Sequence, residues 1–144
     1  MLPIFQDADS LQVLLVGDSA GGNLALGLLS HFTHPNPLLP ALSSASPIKG
    51  LQLISPWVTF ELASPSVTRN MFKDNLSIGT LEIWGAAYTK GTTQDEYTTP
   101  LKSKPEWWRE MKVKSISVIA GQDELFVDDI EHFVKIVKVS HYNS

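Results

Sequence analysis

The most constraining stretch of this chain is VLLVGDSAGGNLALGLL, Val13 to Leu29. An apolar run with two valines, Gln12 to Gly17, ends on Gly17-Asp18-Ser19-Ala20-Gly21-Gly22. It passes straight into Ala20 to Phe32, which is leucine-rich and free of proline. A short apolar run bounded by a polar residue and a glycine predicts a fully buried strand of a parallel sheet. The stretch after it is long enough for a helix. A strand, a tight turn and a helix therefore meet at one serine, and the rest of the chain must be arranged around that unit.

Gly17-Asp18-Ser19-Ala20-Gly21 is G-x-S-x-G at a strand-to-helix turn, the setting in which such a serine becomes a nucleophile. The turn forces the serine into a strained backbone conformation and lifts its hydroxyl clear of the sheet. Side chains beside it would clash, so Gly17, Ala20, Gly21 and Gly22 are expected to be small for steric reasons. Ser19 then precedes a helix whose N-terminal dipole favours negative charge, and the Ala20 N–H is the candidate oxyanion donor. Two other readings fit a glycine-rich turn before a helix. One is a phosphate cradle, but the Gly-Lys-Ser/Thr of a P-loop is missing and the glycines do not fit G-x-G-x-x-G. The other is a plain capping serine in a structural turn.

Further elements repeat the pattern. GLQLIS, Gly50 to Ser55, reads as a second strand, closed by Pro56. Ser77 can cap a helix that runs to Tyr88 through Ile78, Leu81, Ile83 and Trp84. SISVIA, Ser115 to Ala120, reads as a third strand. Phe126 to Val139 places Phe126, Ile130, Phe133, Val134 and Val137 on one helical face. Glu61 to Asn75 reads as irregular, Glu106 to Met111 as a short helix, and the segments 33–47 and 91–105 as loops. Strands that alternate with helices predict an α/β fold, a parallel sheet with flanking helices and right-handed crossovers. The reading is one domain over 1–144, with a helical excursion at about 61–112.

Composition narrows the function classes. A net charge of −4 with no basic stripe argues against nucleic acid and acidic membranes as partners. The absence of cysteine excludes disulfides and cysteine-based zinc sites. His31, His34, His132 and His141 show no paired metal spacing, so no metal and no cofactor is expected. MLPIFQDADS has no basic n-region, and no apolar run approaches the roughly 18 residues of a membrane span. A cytoplasmic location is the expectation.

Four motifs in order carry a family resemblance over about residues 10–138. GDSAGGNLA, Gly17 to Ala25, resembles the nucleophile motif of the hormone-sensitive-lipase-like branch of α/β-hydrolases, which contains carboxylesterases and lipases. LISPWV, Leu53 to Val58, resembles the next strand and turn of that branch. EYTTPLKS, Glu96 to Ser103, resembles its tyrosine-and-proline segment, and AGQDELFVDDIEHF, Ala120 to Phe133, its acid turn. The resemblance implies a partial α/β-hydrolase fold, about strands 5 to 7 of an eight-stranded sheet. Both sheet edges would then be bare and apolar, an aggregation hazard.

The resemblance also implies a catalytic set. Ser19 is the nucleophile, and a carboxylate must orient a histidine base. Asp123 and Glu124 compete for that acid. Counting from Gly121 favours Asp123; overlaying E-L-F-V-D-D on the family's D-P-L-x-D-E favours Glu124, to which the reading leans. Asp128 and Asp129 read as a solvated first turn of the last helix. The family's base lies beyond one more strand, and its H-G-G-G oxyanion segment lies far upstream of the serine. Neither is visible in this chain, and His141 is a weak substitute. Trp57, Phe60, Trp84, Tyr88, Trp107 and Trp108 fall where the family builds its lid, which favours a small apolar ester as substrate. Besides an ester hydrolase, the same residues fit a non-catalytic small-molecule-binding protein on this fold, as in the plant gibberellin receptors that gave up the histidine. They also fit a truncated piece without function of its own.

Overall fold

The structure is a computed structural model and describes residues 13–42, 47–91 and 94–142. Three parallel strands form one sheet: β1 (Leu14–Asp18), β2 (Gly50–Ile54) and β3 (Ile116–Ile119), in the order β1-β2-β3. Helix α1 (Ala20–Thr33) follows β1, and α4 (Val127–Tyr142) follows β3. Between β2 and β3 the chain makes the helical excursion, with α2 (Pro65–Asn70), α3 (Ile78–Thr89) and single 3-10 turns at Pro100–Lys102 and Pro105–Trp108. Register pairs Leu15 with Leu51 and Leu53 with Val118, so these side chains share one face. Leu26 and Leu29 of α1 and Phe133 and Val137 of α4 pack against that face, with Trp108 completing the core. The helical spacing of each helix's apolar residues is what delivers them to the sheet together.

The other face of the sheet corrects an expectation. The apolar run of β1 predicts burial on both sides, yet Leu14 is 65% and Val16 67% exposed. Both α1 and α4 lie on the Leu51–Leu53 side, and among the described residues no helix covers the opposite one. Among the described residues, strands β1 and β3 form the sheet's two edges.

The excursion also departs from the reading. Glu61 to Asn75 contains a helix, α2, which starts on Pro65 and buries Ser66, Val67 and Asn70. Its sequence PSVTRN has one large apolar residue, too few to show a period. The short helix expected at Glu106 to Met111 is a 3-10 turn at Pro105–Trp108 that buries Trp108. The predicted cap of α3 is present: Ser77 Oγ accepts the Thr80 N–H at 3.2 Å. Only Leu81 and Gly85 of α3 are buried, and Ile83 and Trp84 face outward. Among the described residues no helix is long and apolar enough to cross a membrane.

Candidate active site

Two backbone hydrogen bonds continue the ladder past the strand ends. Ser19 N–H donates to Ile54 O at 3.0 Å, and Ser55 N–H donates to Ile119 O at 2.7 Å. Ser19, Ser55 and the turn after Ala120 therefore stand side by side at the carboxyl end of the sheet, where open α/β sheets hold their ligands. A cleft of about 270 Å³ opens there, lined by Asp18, Ser19, Ser55, Asp74, Asn75, Leu76, Glu124 and Phe126.

Ser19 has φ 52° and ψ −115°, a conformation unfavourable for a side-chain-bearing residue. Its surroundings over-determine it. Besides the bond to Ile54, its carbonyl accepts the Asn23 N–H at 3.2 Å and the Trp57 N–H at 3.0 Å. Gly17 is obligatory here: a Cβ on it would collide with the Gly21 carbonyl oxygen and sit 2.7 Å from Gly22 Cα. A Cβ on Gly22 would come within 2.9 Å of Pro56 Cβ. Gly21 corrects the steric expectation, because a Cβ there meets nothing within 4 Å. Ala20 is the first residue of α1, so its N–H has no intrahelical acceptor and belongs to the helix end that favours a negative oxygen. Asn23 is fully buried and ties the elbow to the excursion. Its Nδ2 donates to Trp57 O at 2.8 Å and to Thr98 O at 2.9 Å, and its Oδ1 accepts from Tyr88 Oη at 3.1 Å. Burial pushes the Tyr88 phenol up, which keeps it a donor.

The neighbouring carboxylates Asp123 and Glu124 go different ways. Glu124 lines the cleft with Ser19. Its Oε1 accepts from Ser55 Oγ at 2.7 Å and from the Gly121 N–H at 2.7 Å. Its Oε2 is buried and has no hydrogen-bond partner among the described residues. Asp123 does not line the cleft; it pairs with Lys73 at 2.8 Å, and its side chain is 68% exposed. The turn that carries both is held from the excursion. Asp74 Oδ2 accepts the Leu125 N–H at 2.7 Å, and Asn70 Nδ2 donates to Gln122 O and Glu124 O at 3.1 and 2.8 Å.

Asp128 and Asp129 are not merely solvated. Asp128 takes both nitrogens of the Arg69 guanidinium, at 2.6 and 3.2 Å, and that fork holds its carboxyl below the ordinary aspartate range. Asp129 accepts from Ser64 Oγ at 2.9 Å, and burial pushes its carboxyl up. The histidines lie elsewhere. His31 Nε2 meets Pro40 O at 3.0 Å, and His34 Nε2 meets Trp107 O at 2.8 Å. They sit near the far end of α1, a helix of 14 residues and about 21 Å. His132 is exposed on α4. The His141 side chain lies outside the described residues.

None of the six aromatics expected over the site lines the cleft. Trp57 and Trp108 are core residues, 4% and 0% exposed. Phe60 packs between Trp57 and Tyr88, and Trp107 stacks near His34. The apolar lining comes from Leu76 and Phe126 instead. The sequence reading did not find Ser55, Asp74 or Asn70. Their partners are 50 to 70 residues away along the chain, so no local spacing marks them.

A family model described as alpha/beta hydrolase fold matches residues 4–141. The chain belongs to the alpha/beta hydrolase family. Among solved structures, an esterase from the bacterial hormone-sensitive lipase family is 25% identical, with a TM-score of 0.69. That match covers 88% of this chain and 39% of the esterase. A hormone-sensitive lipase from a metagenome library is 20% identical, with a TM-score of 0.72 over 89% of this chain and 39% of its own. The esterase LipW from Mycobacterium marinum is 16% identical, with a TM-score of 0.69 over 88% of this chain and 36% of its own. No curated protein matches the chain. This α/β-hydrolase is thus similar to the hormone-sensitive-lipase branch, as its motifs implied, and it spans 39% of the length of the first of these structures.

Proposed function

We propose that this α/β-hydrolase is a carboxylic ester hydrolase in which Ser19 is the nucleophile, Glu124 the acid and the Ala20 N–H an oxyanion donor. The observation that carries this reading is the Ser19 backbone, held at φ 52° between strand and helix on a cleft shared with Glu124. A purely capping serine needs no such strain and makes a side-chain bond to the helix; Ser19 makes none. Glu124 is taken over Asp123 because its carboxylate is fixed inside the cleft, while Asp123 is paired at the surface.

In the reaction, Ser19 Oγ attacks the ester carbonyl and gives its proton to a base held by Glu124. The carbonyl electrons move onto oxygen, where the Ala20 N–H and the α1 N-terminus stabilise them. Collapse expels the alcohol, which receives the proton, and water then releases the acid from the acyl-serine. Among the described residues no histidine lines the cleft, and the reading requires a base and a second oxyanion donor besides the Ala20 N–H. Leu76 and Phe126 suit a small apolar acyl or alcohol group.

The test is labelling of the protein by a fluorophosphonate and hydrolysis of a short p-nitrophenyl ester, each repeated on Ser19→Ala. Labelling and turnover that vanish in the variant support the reading. A folded protein with neither, or labelling that survives in Ser19→Ala, overturns it and leaves the binding-protein alternative standing.

A further inference from the structure

Ser55 stands in the cleft without a place in the reaction just described. Its backbone has φ 45°, in the left-handed region that favours glycine. Such a conformation at a residue with a side chain persists only where its surroundings impose it. Here the imposing contact is the Ser55 N–H to Ile119 O bond at 2.7 Å, which joins the end of β2 to the end of β3. The consequence is that Ser55 Oγ reaches across to Glu124 Oε1 at 2.7 Å, a short hydrogen bond to a carboxylate. The Gly121 N–H occupies the same oxygen, also at 2.7 Å.

Both donors therefore use Oε1, and Oε2 is left with none. Oε2 is buried and lacks a donor among the described residues, and the ester-hydrolase reading supplies one, the N–H of the base. From this division of the two oxygens we infer that Ser55 is a positioning residue: it fixes the Glu124 carboxylate through Oε1 so that Oε2 alone is presented to the N–H of the catalytic base. The inference rests on the ester-hydrolase reading. Ser55 takes no part in the bond changes at Ser19; it acts through Glu124.

The experiment compares Ser55→Gly, Ser55→Ala and Ser55→Cys with the wild type in steady-state ester hydrolysis and in the rate of fluorophosphonate labelling. Glycine suits φ 45°, so Ser55→Gly removes the hydroxyl while relieving backbone strain, and a thermal melt confirms that it folds. The expected result is a fall in kcat of about tenfold in both Ser55→Gly and Ser55→Ala, with KM within twofold. Labelling slows in parallel, and Ser55→Cys, a weaker donor, falls between. A Ser55→Gly enzyme with wild-type kcat overturns the inference and leaves the ester-hydrolase reading intact. So does a loss confined to KM, or a loss in Ser55→Ala that Ser55→Gly restores. A wild-type protein without turnover or labelling overturns both.

Discussion

The elbow at Ser19 and the acid turn at Glu124 are neighbours in space, but they are held by different means. The elbow is held by close backbone packing, Gly17 against Gly21 and Gly22, and by backbone bonds from Ser19 to Ile54 and Trp57. The acid turn is held by hydrogen bonds from side chains far away in sequence, Ser55, Asn70 and Asp74. A turn fixed by sterics tolerates almost no change at its contact point. A turn fixed by several polar partners yields by degrees, one partner at a time.

The largest contrast lies inside the acid turn itself. Glu124→Gln keeps the shape and an acceptor for Ser55 and Gly121 but offers the base an uncharged partner. On its proposed role, we expect kcat to fall by roughly 10³- to 10⁴-fold, as when a triad acid is made an amide. Asp123→Asn removes only an exposed ion pair with Lys73 and leaves kcat within about twofold. Equal losses in the two variants, measured on the same ester, would break the assignment of the acid.

Next comes the elbow. Gly17→Ala forces a methyl onto the Gly21 carbonyl, and backbone cannot move aside as a flexible side chain can. The expected loss is about 1–3 kcal/mol or more, read in urea denaturation. Gly21→Ala sits in open space at the start of α1 and is neutral or stabilising by up to about 1 kcal/mol. If both glycines behave alike, packing is not what holds the elbow.

This difference also explains what was legible beforehand. The strand, the turn and α1 are contiguous, so Val13 to Leu29 displays them all, and the motif with its strand-to-helix context places Ser19 at the turn. The three strands and helices α1, α3 and α4 have local periods and were readable within one or two residues at most ends. Helix α2 was not, because PSVTRN has no apolar period and is held by Ser66 and Asn70 reaching the acid turn. Asp123 and Glu124 are adjacent, and counting could not separate them. What separates them is Ser55, 69 positions away from Glu124, which only the folded sheet brings near. The outward faces of Leu14 and Val16 were misread for the same kind of reason. An apolar run announces a strand, but which faces are covered depends on where distant helices fall.

A smaller effect is expected at Asp74, whose two oxygens accept the N–H groups of Leu125 and Leu76. Asp74→Ala strands both donors and costs about 1–3 kcal/mol. Asp74→Asn keeps one acceptor oxygen and loses less. If the acid turn is held by degrees, Tm should follow that order, with kcat falling in step. An Asp74→Ala protein as stable as the wild type would mean that Asn70 and Ser55 suffice.

The smallest effect is at the Arg69–Asp128 pair, which ties α2 to the first turn of α4 behind the acid turn. Arg69 is 49% exposed, so solvent screens the pair and its contribution is small. The sign with pH is nonetheless defined. The Asp128 carboxyl is held below its ordinary value, first by the hydrogen bonds from Arg69, so folding favours the ionised form. The pair's stabilisation is fully present above the unfolded aspartate value of about 3.9 and is lost as pH falls through the lower folded one. Asp128→Asn should therefore lower Tm by about a degree or two at pH 7, with the gap to wild type closing below about pH 4 and in high salt. A gap that persists in acid, or one as large as that of Gly17→Ala, would mean that α2 is clamped to α4 as rigidly as the elbow is packed. The contrast between the two turns would then fail at its weakest contact.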